Sequence, residues 1–137
     1  MNSANDITTL AGRILISVMF LISGFFKVGG YAQIVAYATA VHLPAPGVAI
    51  AAAAAVELAG GLAILVGFKT RFAAWLLFLY LIPVTYVFHN FWAVQGQEQQ
   101  MQMVNFLKNV AIMGAMLVLS VNGAGSYSVD GKLAKKG

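Results

Sequence analysis

Cysteine is absent from this chain of 137 residues, and charged residues make up only 9% of it. Without thiols the chain forms no disulfide, no thiolate metal site and no dithiol redox centre. Any electron transfer therefore needs a bound cofactor, a quinone or a partner protein. Soluble domains carry about 25% charged residues, so this scarcity, together with 61% hydrophobic residues, indicates an integral membrane protein.

The sequence also lacks nucleophilic triads, glycine-rich phosphate loops and zinc-ligand spacings. Its two histidines, His42 and His89, have no carboxylate at ligand spacing. We therefore predict no metal, no haem and no tightly bound cofactor, which leaves a quinone as the one cofactor to consider. The basic residues are few and lie near helix ends, so the net charge of +4 is explained by membrane topology and indicates no nucleic-acid partner.

Four long apolar segments predict an all-α bundle of four transmembrane helices, which forms a single domain over residues 1–137. A span needs about 20 apolar residues to cross roughly 30 Å of hydrocarbon. The predicted spans cover about residues 7–28, 47–67, 71–92 and 103–122. Segment 31–43 predicts a short interfacial helix between the first two spans. We expect a Gln-rich loop at 93–102 and a polar tail at 123–137 that ends in solvent.

Glu57 lies in the middle of the second span, GVAIAAAAAVELAGGLAILVG. A carboxyl at the bilayer centre costs about 2.5–3.5 kcal/mol on insertion scales, so it should face the bundle interior and have a partner. Two interpretations remain open. One is a buried ion pair with Lys108, Arg13 or Lys27 that fixes helix packing. The other is a protonatable group that binds a substrate or relays protons.

Polar and small residues share one face on each of two other spans, and these faces should point inward. The predicted face of the first span comprises Arg13, Ser17, Phe20, Gly24 and Lys27. The predicted face of the fourth span comprises Lys108, Ile112, Ala115, Leu119 and Asn122.

For each basic candidate near Glu57, a purely structural role has to be weighed against a functional one. Lys108 lies too deep to be a casual surface residue. Lys27 could instead snorkel to the outer surface. For Arg13, which would reach Glu57 only by extending inward, structural pairing or snorkelling is favoured. His89 can titrate near neutral pH, but a helix-end imidazole bonded to a neighbour is equally expected. Glu57, Lys108, His89, Lys27 and Arg13 are thus candidates for substrate binding or proton relay, and no catalytic residue is assigned.

The distribution of basic residues between the two ends of the bundle predicts its orientation. Lys27 alone lies at one end. The end that carries both termini holds Lys69, Arg71, Lys132, Lys135 and Lys136. By the positive-inside rule, both termini are predicted in the cytoplasm. Lys27, His89 and Lys108 then belong to the outer half of the membrane.

Several short motifs occur in a particular order along the chain. They are S-G-F-F-K at 23–27, V-E-L-A-G-G at 56–61, G-F-K-T-R at 67–71, F-H-N at 88–90, F-L-K-N at 106–109 and G-A-G-S-Y-S-V-D at 123–130. Over about residues 7–130 the chain resembles the DoxX family of small bacterial four-helix inner-membrane proteins, in particular its YqjF-like branch. The resemblance implies a link to quinone chemistry and to oxidative or electrophile stress.

Three functions follow as hypotheses. The first is a quinone-interacting redox protein, whether or not it is a subunit of a quinone-linked oxidoreductase. In it Lys108 and His89 would bind quinone oxygens, Glu57 would relay a proton, and Tyr86 and Trp92 would stack on the ring. The second is a small exporter or permease for aromatic compounds, for which four helices enclose little volume unless the chain forms a homo-oligomer. The third is a non-catalytic anchor that binds soluble redox enzymes.

Overall fold

The computed structural model describes residues 3–136, so Met1, Asn2 and Gly137 of the predicted domain and tail lie outside the described residues. The predicted all-α bundle is confirmed, because this part of the chain forms helices and no strand. The helices are α1 (Ser3–Gly29), α2 (Tyr31–Ala40), α3 (Pro46–Val66), α4 (Thr70–Phe88), α5 (Gly96–Asn122) and α6 (Val129–Ala134), with a 3-10 turn at Phe91–Ala93.

Four of these helices, α1, α3, α4 and α5, are long and apolar enough to cross a membrane. Helix α3 packs between α1 and α4, and α4 packs against α5. Both ends of the described chain lie at the same end of the bundle, where the Asp6 carboxylate accepts a hydrogen bond from the Ser126 amide at 3.0 Å. The outward faces carry exposed apolar side chains, so the four spanning helices contact the lipid bilayer.

The predicted inward face of α1 is confirmed by the burial of its residues Arg13, Ser17, Phe20 and Gly24. An added Cβ at Gly24 would lie 2.7 Å from Cγ of Leu58 on α3. An added Cβ at Gly60 on α3 would lie 2.8 Å from Cδ2 of Leu77 on α4. Small residues at these crossings let the helix backbones approach closely, which is how membrane helices gain packing contacts.

Short irregular segments separate the helices, and most of these segments contain glycine or proline. Helix α3 begins at Pro46, a residue whose fixed φ suits the first helical turn. It ends at Gly67, which has a left-handed φ of 71° and donates its amide to the Ala63 carbonyl. At the opposite end of the bundle, α2 lies beside the start of α3, and the Tyr31 hydroxyl donates to the Gly47 carbonyl at 2.8 Å.

Helix α5 differs from the prediction in its start and in its buried face. It begins at Gly96 rather than near residue 103, so most of the Gln-rich stretch predicted as a loop is helical. Gln, Glu and Met form helices readily despite their polarity. The buried residues of the helix are Asn109, Met116, Leu119 and Ser120. The inward face therefore lies about one residue away from the predicted one, which leaves Lys108 and Asn122 exposed.

The C-terminal segment folds back onto the turn between α3 and α4 before it reaches residues 132–136, which are exposed as predicted for the end of the tail. Helix α6 begins after Ser128, whose hydroxyl oxygen accepts a hydrogen bond from the Gly131 amide at 2.9 Å. The Asp130 amide donates to the Gly67 carbonyl at 2.8 Å. The Asp130 carboxylate accepts hydrogen bonds from the amides of Lys69 and Thr70 at 2.8 and 2.9 Å. Asp130 thus caps α4 from a distant part of the sequence.

The hydrogen bonds of this cap affect the pKa of Asp130. Burial alone would raise the pKa of Asp130, but hydrogen bonds from Thr70 and Lys69, together with the nearby Arg13 charge, hold it below its ordinary value. Because folding lowers this pKa, the stability it contributes is present at neutral pH and is lost as the pH falls through the lowered pKa.

Candidate functional site

Glu57 is 4% exposed and forms an ion pair with Lys27 on α1. The Lys27 ammonium donates to both carboxylate oxygens, at 3.0 Å to Oε1 and 2.9 Å to Oε2. It also donates to the Ser23 hydroxyl oxygen at 2.9 Å, one helical turn before it on α1. This is the one ion pair that residues 3–136 form, and it identifies which of the three basic candidates is the partner of Glu57.

The antiparallel arrangement of α1 and α3 explains why Lys27 turns inward. Each side chain on an α-helix leans toward the N-terminus of its own helix. Lys27 therefore leans away from the nearby end of α1 and toward the membrane centre, while Glu57 on α3 leans in the opposite direction. The side chain of Lys27 is only 18% exposed, so it does not snorkel to the outer surface.

Tyr80 on α4 completes the cluster and was not singled out by the sequence. Its hydroxyl donates to Oε1 of Glu57 at 2.7 Å. Glu57 lies nine residues before the end of α3, and Tyr80 lies ten residues after the start of α4. Two antiparallel helices joined by a short turn place such positions at the same depth. A similar distance from the two helix ends at the short turn is therefore the sequence signal that identifies Tyr80.

A cavity of about 530 Å³ lies beside this cluster, within the size range of small-molecule sites. Its walls come from all four spanning helices and from α2. Most of the lining is apolar, including Ile34, Tyr37, Ile50, Val56, Val84 and Phe88. The polar and basic residues that line it are Ser23, Lys27, Tyr80, His89 and Lys108. Glu57 lies behind Lys27 and Tyr80 and does not itself line the cavity.

The structure places Lys108 and His89 on the cavity wall without bringing either to Glu57. The ammonium of Lys108 is exposed and donates to the Asn105 side chain at 3.1 Å. Nδ1 of His89 lies 2.9 Å from the side-chain oxygen of Gln102. The neighbouring residue Asn109 points inward in place of Lys108 and donates to the Thr85 hydroxyl at 3.1 Å.

The structure does not bring Tyr86 and Trp92, which are predicted to stack on a quinone ring, to the cavity. Their rings lie 5.6 Å apart, both are exposed, and neither lines the cavity. Tyr86 lies on the outward face of α4 with other exposed apolar residues. Tyr80 and Phe88 lie on the face of α4 that lines the cavity. The aromatic rings available to a bound molecule are those of Tyr37, Tyr80 and Phe88, and Tyr37 stacks on Phe88 at a centroid distance of 6.0 Å.

Arg13 is 1% exposed and lies away from Glu57, near the end of α3. Its Nη1 donates to the carbonyls of Ile64 and Leu65 at 3.3 and 3.4 Å. Its Nη2 donates to the Tyr127 carbonyl in the C-terminal segment. These contacts give Arg13 a structural position that joins α1, α3 and the C-terminal segment. Arg13 neither pairs with Glu57 nor snorkels to the surface, the two structural roles that the sequence favours.

The family of the chain follows from a comparison with known proteins. The DoxX family model matches residues 8–90, which contain Lys27, Glu57 and Tyr80. The chain belongs to the DoxX family. The predicted resemblance is thereby confirmed.

Two relatives from Escherichia coli (strain K12) match nearly the whole chain. The inner membrane protein YphA is 34% identical over 128 residues, which cover 93% of this chain and 91% of YphA. The inner membrane protein YqjF is 34% identical over 136 residues, which cover 99% of both chains. No solved structure matches the chain. The chain is thus a multi-pass inner membrane protein of the DoxX family.

A more distant relative matches only part of its own length. The ER-derived vesicles protein ERV29 of Saccharomyces cerevisiae is 32% identical over 73 residues, which cover 53% of this chain and 24% of ERV29.

Proposed function

We propose that this DoxX chain binds the head group of a quinone or hydroquinone in the cavity beside Lys27 and Tyr80. The supporting observation is the combination of apolar walls with hydrogen-bonding groups that point into about 530 Å³ of space. Quinone oxygens accept hydrogen bonds, and an isoprenoid tail prefers apolar surroundings. The Ser23 hydroxyl accepts from Lys27 and keeps its own proton available for a ligand oxygen.

Glu57, Lys27 and Tyr80 would then relay protons for quinone chemistry. Reduction of a quinone to a hydroquinone takes up electrons and an equal number of protons. Since the chain has no cysteine, the electrons would come from a soluble redox enzyme that docks on the membrane protein. The Lys27 ammonium and the Tyr80 hydroxyl touch both the cavity and Glu57, so a proton given to a ligand oxygen can be replaced through Glu57.

A thermal-shift experiment tests this proposal with a matched pair of tyrosine variants. A quinone analogue with a short alkyl tail should stabilise the purified protein, by about 2.7 kcal/mol at a hundredfold excess over its Kd. Tyr80→Phe should remove most of this shift, because the hydroxyl between Glu57 and the cavity is lost. Tyr86→Phe makes the same change on an exposed tyrosine outside the cavity and should keep the wild-type shift.

Two other results would replace the quinone proposal. If no analogue shifts the wild-type protein and soluble proteins co-purify through the exposed lysines at 132–136, the chain acts as a membrane anchor. If analogues bind and reconstituted vesicles also export an aromatic compound, the cavity belongs to a transporter. A link to electrophile stress follows under the quinone proposal, because many quinones are themselves electrophiles.

We further propose that both termini lie in the cytoplasm. The exposed cations Lys69, Arg71, Lys132, Lys135 and Lys136 share the end of the bundle that carries both termini. A reporter active only in the periplasm should be silent when fused after Gly137. It should be active when inserted at Gln97, in the first turn of α5. The opposite pattern would put the Lys27 side of the cavity in the cytoplasmic half of the membrane and reverse this orientation.

A further inference from the structure

A second cleft lies at the other end of the bundle, away from the proposed quinone cavity. It has a volume of about 640 Å³ and lies between the turn at Lys69–Arg71 and the glycine-rich segment 123–125. An added Cβ at Gly123 would lie 3.4 Å from Nε of Arg71, so the glycine lets this guanidinium lie against the backbone. Arg71 is exposed, and its guanidinium forms no ion pair or hydrogen bond within residues 3–136.

The charged groups that line the cleft are Lys69, Arg71 and Asp130. Asp130 already accepts hydrogen bonds from the amides of Lys69 and Thr70. Neither side-chain cation forms an ion pair within residues 3–136, although the Lys69 ammonium lies 5.8 Å from the centroid of the Phe68 ring. The lining as a whole carries one net positive charge. This charge is complementary to a single phosphodiester, which carries one negative charge at neutral pH.

The depth of the cleft favours a membrane lipid as the source of the phosphate. Helix α3 has 21 residues and is therefore about 31 Å long, close to the thickness of the hydrocarbon core. The turn that follows it lies where lipid head groups begin. Phe68 and Phe72 flank the cations and are exposed, and Phe72 also lines the cleft. We propose that this cleft binds the phosphate of a monoanionic phospholipid, with an acyl chain along Phe72.

Native mass spectrometry of the purified full-length chain tests this lipid site. Phosphatidylglycerol should bind in preference to phosphatidylcholine with the same acyl chains, because only the former has an uncompensated negative charge. Each of Lys69→Gln and Arg71→Gln should weaken phosphatidylglycerol binding about fivefold, as expected for one cation at a lipid head group.

Lys136→Gln is the matched control, because it removes one positive charge from the same end without touching the cleft. It should leave phosphatidylglycerol binding unchanged. Equal losses in Lys136→Gln and Arg71→Gln would overturn the proposal in favour of a diffuse charge effect. Equal binding of phosphatidylcholine would also overturn it. If inorganic phosphate competes fully with the lipid at millimolar concentration, the site takes a soluble phosphate and the lipid assignment is wrong.

Discussion

Lys27→Met is expected to lower the free energy of unfolding by about 3–5 kcal/mol, because it leaves the buried carboxylate of Glu57 without its counter-ion. The hydrogen bond from Tyr80 remains, but a neutral donor cannot replace a charge at the membrane centre. Unfolding of the purified protein in detergent, followed by far-UV circular dichroism, measures this loss.

Lys108→Met is the control for this prediction. It makes the same chemical change at an exposed position on the same cavity, where the ammonium binds only Asn105 within the described residues. Its effect should stay within about 0.5 kcal/mol, the usual range for surface substitutions. Equal losses for the two variants would mean that Lys27 does not compensate Glu57.

A double-mutant cycle isolates the pair itself. Lys27→Met/Glu57→Gln should recover most of the loss caused by Lys27→Met, since no unpaired charge remains. Glu57→Gln alone should be milder than Glu57→Leu, because the amide still accepts the hydrogen bond from Tyr80. Additive losses would contradict a direct interaction between Lys27 and Glu57.

The same cycle separates the two interpretations of Glu57 that its sequence position left open. Buried ion pairs can often be replaced by apolar residues without loss of stability. If Lys27→Met/Glu57→Leu is stable and still shows the quinone shift, the pair only specifies packing. If this variant is stable but the shift is lost, the pair acts in the cavity. Stability and binding must therefore be measured on the same preparation.

From the sequence, a residue of this site can be predicted only if its type is unusual for its position in the chain. An acid inside an alanine-rich span must be buried and paired, and Glu57 is. The side chain of Tyr80 does not stand out, because tyrosine is tolerated in membrane helices and its role depends on depth relative to Glu57. Lys108 is a strong basic candidate in the sequence because it lies deep, but burial depends on helix rotation, and a shift of one residue along α5 replaces it by Asn109.

Polarity misled the prediction at both ends of α5. The stretch at 96–102 was predicted as a loop because it cannot lie in hydrocarbon, yet glutamine forms helices well and the helix continues into solvent. The segment after Asn122 is predicted as a polar tail that ends in solvent, and its residues 132–136 are exposed, but the residues before them pack against the bundle. Its order depends on partners that are far away in sequence, notably the amides of Lys69 and Thr70 that bind Asp130. No local pattern identifies such partners.

Arg13→Met should destabilise the bundle by at least about 3 kcal/mol, because the guanidinium is the donor for three carbonyls in a buried place. The Ala63 carbonyl accepts the two amide donors beyond the end of α3, which leaves the carbonyls of Ile64 and Leu65 to Arg13. The third is the Tyr127 carbonyl of the C-terminal segment. Each buried acceptor without a donor costs about 1–3 kcal/mol. Thermal unfolding in detergent measures the loss, and Arg71→Met, which removes an exposed cation at the same end, should change little.

Hydrogen exchange shows whether Arg13 acts through the C-terminal segment or in the proposed quinone site. Loss of the bond to Tyr127 should loosen the segment, so the Lys69 and Thr70 amides that bind Asp130 should exchange faster in Arg13→Met than in the wild type. The quinone shift should persist in this variant at a temperature where it is folded, because Arg13 does not line the cavity. Unchanged exchange together with a lost quinone shift would instead place Arg13 in the proton relay.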